Sequence, residues 1–98
     1  MSYTSTTTAV RPNGVLWFNR HDNVTSQSLL NWEATQPGFV SFNVVIQDPN
    51  TLVATLVFED QASFDAMAAT RATRDDWLAR QEYLLVTGIT KTVVRGNT

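Results

Sequence analysis

The sequence predicts an α+β fold, an antiparallel sheet with helices on one face. Three observations predict it. Residues 39–58 alternate with period two on both sides of a short turn, the pattern of a hairpin. Apolar residues at helical spacing lie before and after that hairpin. Stretches rich in β-branched residues open and close the chain, as strands do.

Taken in order, Ser2 to Val10 is threonine-rich. It reads as a strand in preference to a disordered tail, since Tyr3 and Val10 agree and proline is absent. Arg11-Pro12-Asn13-Gly14 breaks it, because proline removes a donor and Asn-Gly turns easily. Val15-Leu16-Trp17-Phe18 is either a second strand folding back or a loop pinned by its aromatics. A polar turn over residues 19–23 follows. A helix is expected from near Thr25, with Leu29, Leu30 and Trp32 on its apolar side and Val24 as a staple. Pro37-Gly38 ends it.

In the hairpin, Val40, Phe42, Val44 and Ile46 share one face with Leu52, Ala54, Leu56 and Phe58. Phe42, Val44, Leu56 and Phe58 are the expected core. Asp48-Pro49-Asn50-Thr51 makes the turn, with proline presetting φ and Asp48 bonding back to a following amide. Asp60 or Ser63 caps the next helix, which carries Phe64, Met67 and Ala68 and runs toward Arg71. Thr73 and Asp76 have capping-box spacing for a further helix bearing Trp77, Leu78, Leu84 and Leu85. Gly88 stops that helix. A last strand follows, with Ile89, Lys91 and Val93 on one face and Thr90, Thr92 and Val94 on the other.

This order is the split βαββαβ of a ferredoxin-like sheet, and residues 1–98 read as one such domain. The face away from the helices holds Phe39, Val45, Val53, Thr55 and Val57 beside the threonine-rich first and last strands. It is nearly uncharged. Soluble monomers avoid such patches, so a second copy packing sheet on sheet is expected.

Composition excludes several function classes. The chain has 98 residues, 43% hydrophobic and 16% charged, with a net charge of −2. Its seven Lys and Arg are scattered singly, which argues against a nucleic-acid stripe. No run is long enough to span a membrane, and the N-terminus lacks the features of a signal peptide. Without cysteine there is no disulfide, thiolate chemistry or cysteine-bound metal. A cytoplasmic protein is expected, in a host cell or in a virion assembled there.

The stretch Thr55-Leu-Val-Phe-Glu-Asp-Gln-Ala-Ser-Phe-Asp-Ala-Met67 resembles the dimeric α+β barrel superfamily, the antibiotic-biosynthesis-monooxygenase-like proteins. In that group a strand ends in a hydrophobic residue, an acidic or polar pair caps a helix, and an aromatic follows. The segment from Asp75 to Leu85 and the strand after Gly88 share the likeness. Residues Pro12 to Asn23 depart from it, because the group joins its first strand and helix directly. The resemblance implies a homodimer and a cavity between helices and sheet. Haem-handling members use an asparagine, a histidine and a tryptophan. Here the lone histidine falls in the inserted loop, so that site is not carried over. The threonine-rich start followed by Arg-Pro-Asn is also similar to small proteins of tailed marine phages.

Candidate chemistry is sparse. His21 is the only histidine, and with Asp22 it is the one weak catalytic candidate. A solvated loop histidine is the simpler reading. Trp17, His21 and Asn43 are the candidate lining of a ligand pocket. Asp75 and Asp76 point about 100° apart on a helix, so they suit its start better than a metal. No Gly-x-Ser-x-Gly elbow and no phosphate loop is present. No cofactor and no metal is expected. The sequence therefore favours a homodimeric assembly or interaction protein without enzymatic activity. The alternative is a small-molecule binder or a cofactor-poor monooxygenase or isomerase of the barrel type. A regulatory ligand sensor is a third reading. A cavity lined by Trp17, His21 or Asn43 would separate them.

Overall fold

The computed structural model describes residues 2–15, 17 and 28–98. Its strands are β1 (Tyr3–Val10), β2 (Phe39–Asp48), β3 (Thr51–Phe58) and β4 (Thr90–Asn97). Helix α1 covers residues 28–33 in its described part. Helices α2 (Gln61–Arg71) and α3 (Asp75–Thr87) follow the hairpin. The sheet order is β2-β3-β1-β4, antiparallel throughout. This is the expected ferredoxin-like arrangement, with β1 inserted between the strands that α2 and α3 connect.

Local chemistry explains the element ends. Asp48 Oδ1 accepts from the Asn50 amide at 2.9 Å, so the hairpin turn forms as expected. Asp60 is the cap of α2 and accepts from the Ser63 amide at 2.8 Å. The capping box expected at Thr73 does not form. Arg74 takes the cap position of α3 with no side-chain bond, and the Thr73 hydroxyl donates instead to the Thr70 carbonyl at 2.7 Å. Asp76 pairs with Arg74 at 2.8 Å, which holds its carboxyl below the usual carboxylate range. Gly88 closes α3 with φ 77°, a left-handed conformation that glycine adopts without a Cβ penalty. The expected start of α1 near Thr25, the Val24 staple, and Leu16 and Phe18 lie outside the described residues. Val15 and Trp17 are not in strand.

Register sorts the strands into an inner face under the helices and an outer face. Phe42–Leu56–Ser5–Arg95 forms one inner row, and Val44–Ala54–Thr7–Val93 the next. Asn43–Thr55–Thr6–Val94 and Val45–Val53–Thr8–Thr92 are outer rows. The inner face is packed at both ends. At one end Tyr3, Leu56, Phe58, Phe64 and Met67 cluster, with Phe58, Phe64 and Met67 at 2% exposure or less. The Phe58 and Phe64 rings meet edge to face at 5.8 Å. At the other end Ala9, Leu52 and Ile89 cluster beneath Tyr83 and Leu84 of α3.

Two expectations about β2 change. A bulge between Phe39 and Ser41 brings Phe39 opposite Phe58, and its ring packs edge-on there at 5.9 Å. Phe39 therefore belongs to the inner core and leaves the outer set. Of the expected core, Leu56 and Phe58 are buried and Phe42 is half-buried, whereas Val44 is exposed. Strand β2 is the sheet edge, and the clusters beneath the helices leave Val40, Val44 and Ile46 uncovered.

Candidate functional site

Between the two packed clusters the inner face is not filled. The inner residues of β1 run Tyr3, Ser5, Thr7, Ala9, so the two central ones are small and polar. Opposite Thr7 on β3 is Ala54, whose side chain is a single methyl group. A cavity of about 150 Å³ results, bounded below by Ser5, Thr7, Ala54 and Leu56. Its roof is α3. Trp77, Arg80, Gln81 and Leu84 line it at spacings of three and four, one face of that helix. Helix α3 accordingly has no buried residue. Leu29 and Glu33 of α1 and Arg71 of α2 complete one side, and Lys91, Val93 and Arg95 of the edge strand β4 the other.

The wall holds an ion pair. Phe64, Met67 and Arg71 are the buried residues of α2, so Arg71 continues the apolar face of that helix inward. Its Nη1 donates to Glu33 Oε2 at 3.0 Å, and both side chains are about nine-tenths buried. The guanidinium carbon lies 4.0 Å from the Trp77 ring centre, a cation–π contact strengthened by desolvation. Arg71 Nε is buried and has no hydrogen-bond partner among the described residues. Burial holds the Glu33 carboxyl above the usual carboxylate range, more than the attraction of Arg71 lowers it.

Lys91 and Arg95 are held by neutral groups. Lys91 Nζ donates to Gln81 Oε1 at 3.1 Å and sits 5.3 Å from the Trp77 ring centre. Arg95 Nε donates to the Ser5 hydroxyl at 3.3 Å, with its guanidinium 5.0 Å from the Phe64 ring centre. Burial, then the nearby charges of Arg71, Arg80 and Arg95, push the Lys91 ammonium below its ordinary value. Four of the seven Lys and Arg of the chain thus line one cavity: Arg71, Arg80, Lys91 and Arg95. Scattered singly in sequence, they converge in space.

Of the residues singled out from sequence, the described ones, Asn43 and Trp17, fall elsewhere. Asn43 is exposed on the outer face opposite Thr55, so it points away from the cavity. Trp17 packs against the Ala9, Leu52 and Ile89 cluster and under the Arg11 guanidinium at 5.2 Å, outside the cavity lining. His21 and Asp22 lie outside the described residues. Glu33, Arg71, Trp77, Lys91 and Arg95 were not found by motif. A signal existed for the cations: Lys91 shares the alternation of Ile89 and Val93, and Arg71 the helical spacing of Phe64 and Met67. A charge at an inward position is informative, because burial without compensation is costly.

No group of three or more metal-ligating side chains occurs among the described residues. No described helix is long and apolar enough to cross a membrane.

No family model and no curated protein matches the chain. Solved structures do match in fold. One is a point mutant of SnoaB, a cofactor-independent oxygenase from Streptomyces nogalater. It shares 17% identity at a TM-score of 0.73, over 99% of this chain and 92% of that one. Another is a proposed antibiotic biosynthesis monooxygenase from Nitrosomonas europaea, at 11% identity and a TM-score of 0.71, over 99% and 89% of the two chains. A third, proposed for the same role in Deinococcus radiodurans, has 12% identity and a TM-score of 0.64, over 98% and 91%. The fold is therefore that of antibiotic-biosynthesis-monooxygenase-like proteins. The likeness to phage proteins gains no support from these structures.

Proposed function

We propose that this chain binds a small organic molecule in the cavity between α3 and the sheet, and that it does so as a homodimer closed through the outer sheet faces. The observation that carries the binding reading is the unfilled inner face beneath α3, floored by Ser5, Thr7 and Ala54. Packed cores rarely leave such space, and a cavity of about 150 Å³ is large enough to take one aromatic ring. The reading preferred from sequence, an assembly protein without enzymatic activity, has no comparable observation behind it. The homodimer is supported by the outer face. Ser41, Asn43, Val45, Val53, Thr55 and Val57 carry no charge, and neither do Thr4, Thr6, Thr8, Thr92 and Val94 beside them.

The fold shared with an oxygenase that needs no cofactor makes oxygen chemistry the first activity to assay. The test has two parts. Native mass spectrometry of the purified protein reads the subunit count and any retained ligand. A fragment screen followed by the Trp77 indole N–H resonance then reads occupancy of the cavity. Binding that moves this resonance, and oxygen uptake without added cofactor on a bound phenolic fragment, are the expected results. A screen that leaves the Trp77 signal unmoved at millimolar concentrations removes the binding reading.

A further inference from the structure

The cavity is cationic as well as apolar, and among the described residues Lys91 and Arg95 have no carboxylate partner. We infer that its ligand is an organic anion with a ring-sized apolar body, its carboxylate held by Arg71, Lys91 and Arg95. This rests on the binding reading above and names the chemical class of the ligand. Among the described residues, the only carboxylate lining the cavity is Glu33, and it is already bonded to Arg71 Nη1. Lys91 and Arg95 make no salt bridge among those residues; their partners are the neutral Gln81 and Ser5. Arg71 offers a buried Nε–H that no described residue receives.

An orphaned donor of a charged group is costly, and an anionic acceptor relieves that cost more fully than a neutral one, because charge-assisted hydrogen bonds are the stronger. Like charges gathered at one cavity also raise the local concentration of anions. The positions set the pose. Arg71 is buried at the wall, and Lys91 and Arg95 lie on the exposed edge strand, so the charged end faces β4. The apolar body then lies against Trp77, Leu29 and Leu56, under α3. The planar guanidinium fork of Arg71 or Arg95 matches a carboxylate better than a point charge would.

The test compares three isosteres, benzoate, benzamide and benzamidine, titrated at millimolar concentration against the Trp77 indole resonance at low salt. Benzoate is expected to bind at least about tenfold more tightly than benzamide, the effect of one charge-assisted contact. Benzamidine is expected not to bind. Lys91→Gln and Arg95→Gln should each reduce the preference for benzoate without abolishing binding of benzamide, with circular dichroism confirming the fold. Equal binding of benzoate and benzamide, in a protein that binds both, overturns the anion inference and leaves the binding reading intact. Absence of binding by all three and by the neutral fragment set overturns both.

Discussion

Helices α2 and α3 cover the same sheet and are used differently. Helix α2 fully buries Phe64, Met67 and Arg71, while α3 has only half-buried residues on its inner side. Under α2 the strands present Tyr3, Leu56 and Phe58, and large rings fill the space. Under the middle of α3 they present Ser5, Thr7 and Ala54, and a cavity remains. On the binding reading proposed above, the contrast separates stability from function within one small layer. The α2 half is closely packed, and the α3 half leaves a lined space.

The largest expected effect breaks the packed half. Phe58→Ala should cost about 3–5 kcal/mol in urea unfolding, since the ring is fully buried. Leu84→Ala, over the cavity, should cost under about 2 kcal/mol, because its site is already partly open. Equal losses would erase the distinction between the halves.

Next comes the ion pair at the border of the two halves. Glu33→Ala leaves the buried Arg71 guanidinium without its carboxylate and should cost about 3 kcal/mol by the same measurement. The double variant Glu33→Leu with Arg71→Met should regain most of it. A double variant as unstable as the single one would show that the pair does more than satisfy itself.

The outer face is shared by both halves, so a charge there should change assembly without choosing between them. Val53→Lys should lower the mass in solution to that of a monomer, or cause aggregation, because two unpaired charges would meet in the interface. Unchanged mass by light scattering, with unchanged stability, would show that this face is not the contact.

The smallest effects are slopes with pH. Glu33 titrates above its ordinary value in the folded state because of burial. Its contribution is therefore full below the unfolded carboxylate range, about pH 4.3, and is lost as pH rises through the raised folded value. Asp60, at the cap of α2, titrates below its ordinary value because it accepts from Ser63. Its contribution is present above the unfolded value and is lost as pH falls through the lowered one. Subtracting the urea midpoints of Glu33→Gln and Asp60→Asn from those of the parent, across this range, should give slopes of opposite sign. A Glu33 difference that grows with pH would mean that Arg71 outweighs burial.

The framework was legible because it rests on local rules. Alternation marked β2 and β3, Asp48 and Asp60 marked a turn and a cap, and Gly88 marked the end of α3. The bulge at Phe39 was not legible, since one extra residue in a strand leaves no local trace but reverses the side on which a ring lies. Nor was the exposure of Val44, which depends on β2 being the edge and on how far the helices reach. The site was nearly invisible for a different reason. Ser5, Glu33, Arg71, Trp77, Lys91 and Arg95 come from five elements. No spacing in the chain links them, whereas Asn43 and Trp17, which stand out in the sequence, lie outside the cavity lining.

The strict alternation of the central strands has an evolutionary side. On β1 and β4 the odd-numbered residues face the cavity or core and the even-numbered ones face outward; on β3 the parity is reversed. A point substitution at Thr7, Val93 or Arg95 therefore changes the cavity lining while its neighbours Thr6, Thr8 and Val94 keep the outer surface as it was. On the proposed reading, ligand choice and self-association can then drift under separate selection, although their residues are adjacent in the chain. An insertion or deletion has no such freedom. One residue lost from β1 would exchange the two faces, placing threonines under α3 and alternating Ser5 and Thr7 with Ala9 on the outside. Descendants of this chain should differ freely by substitution in β1 and keep its length.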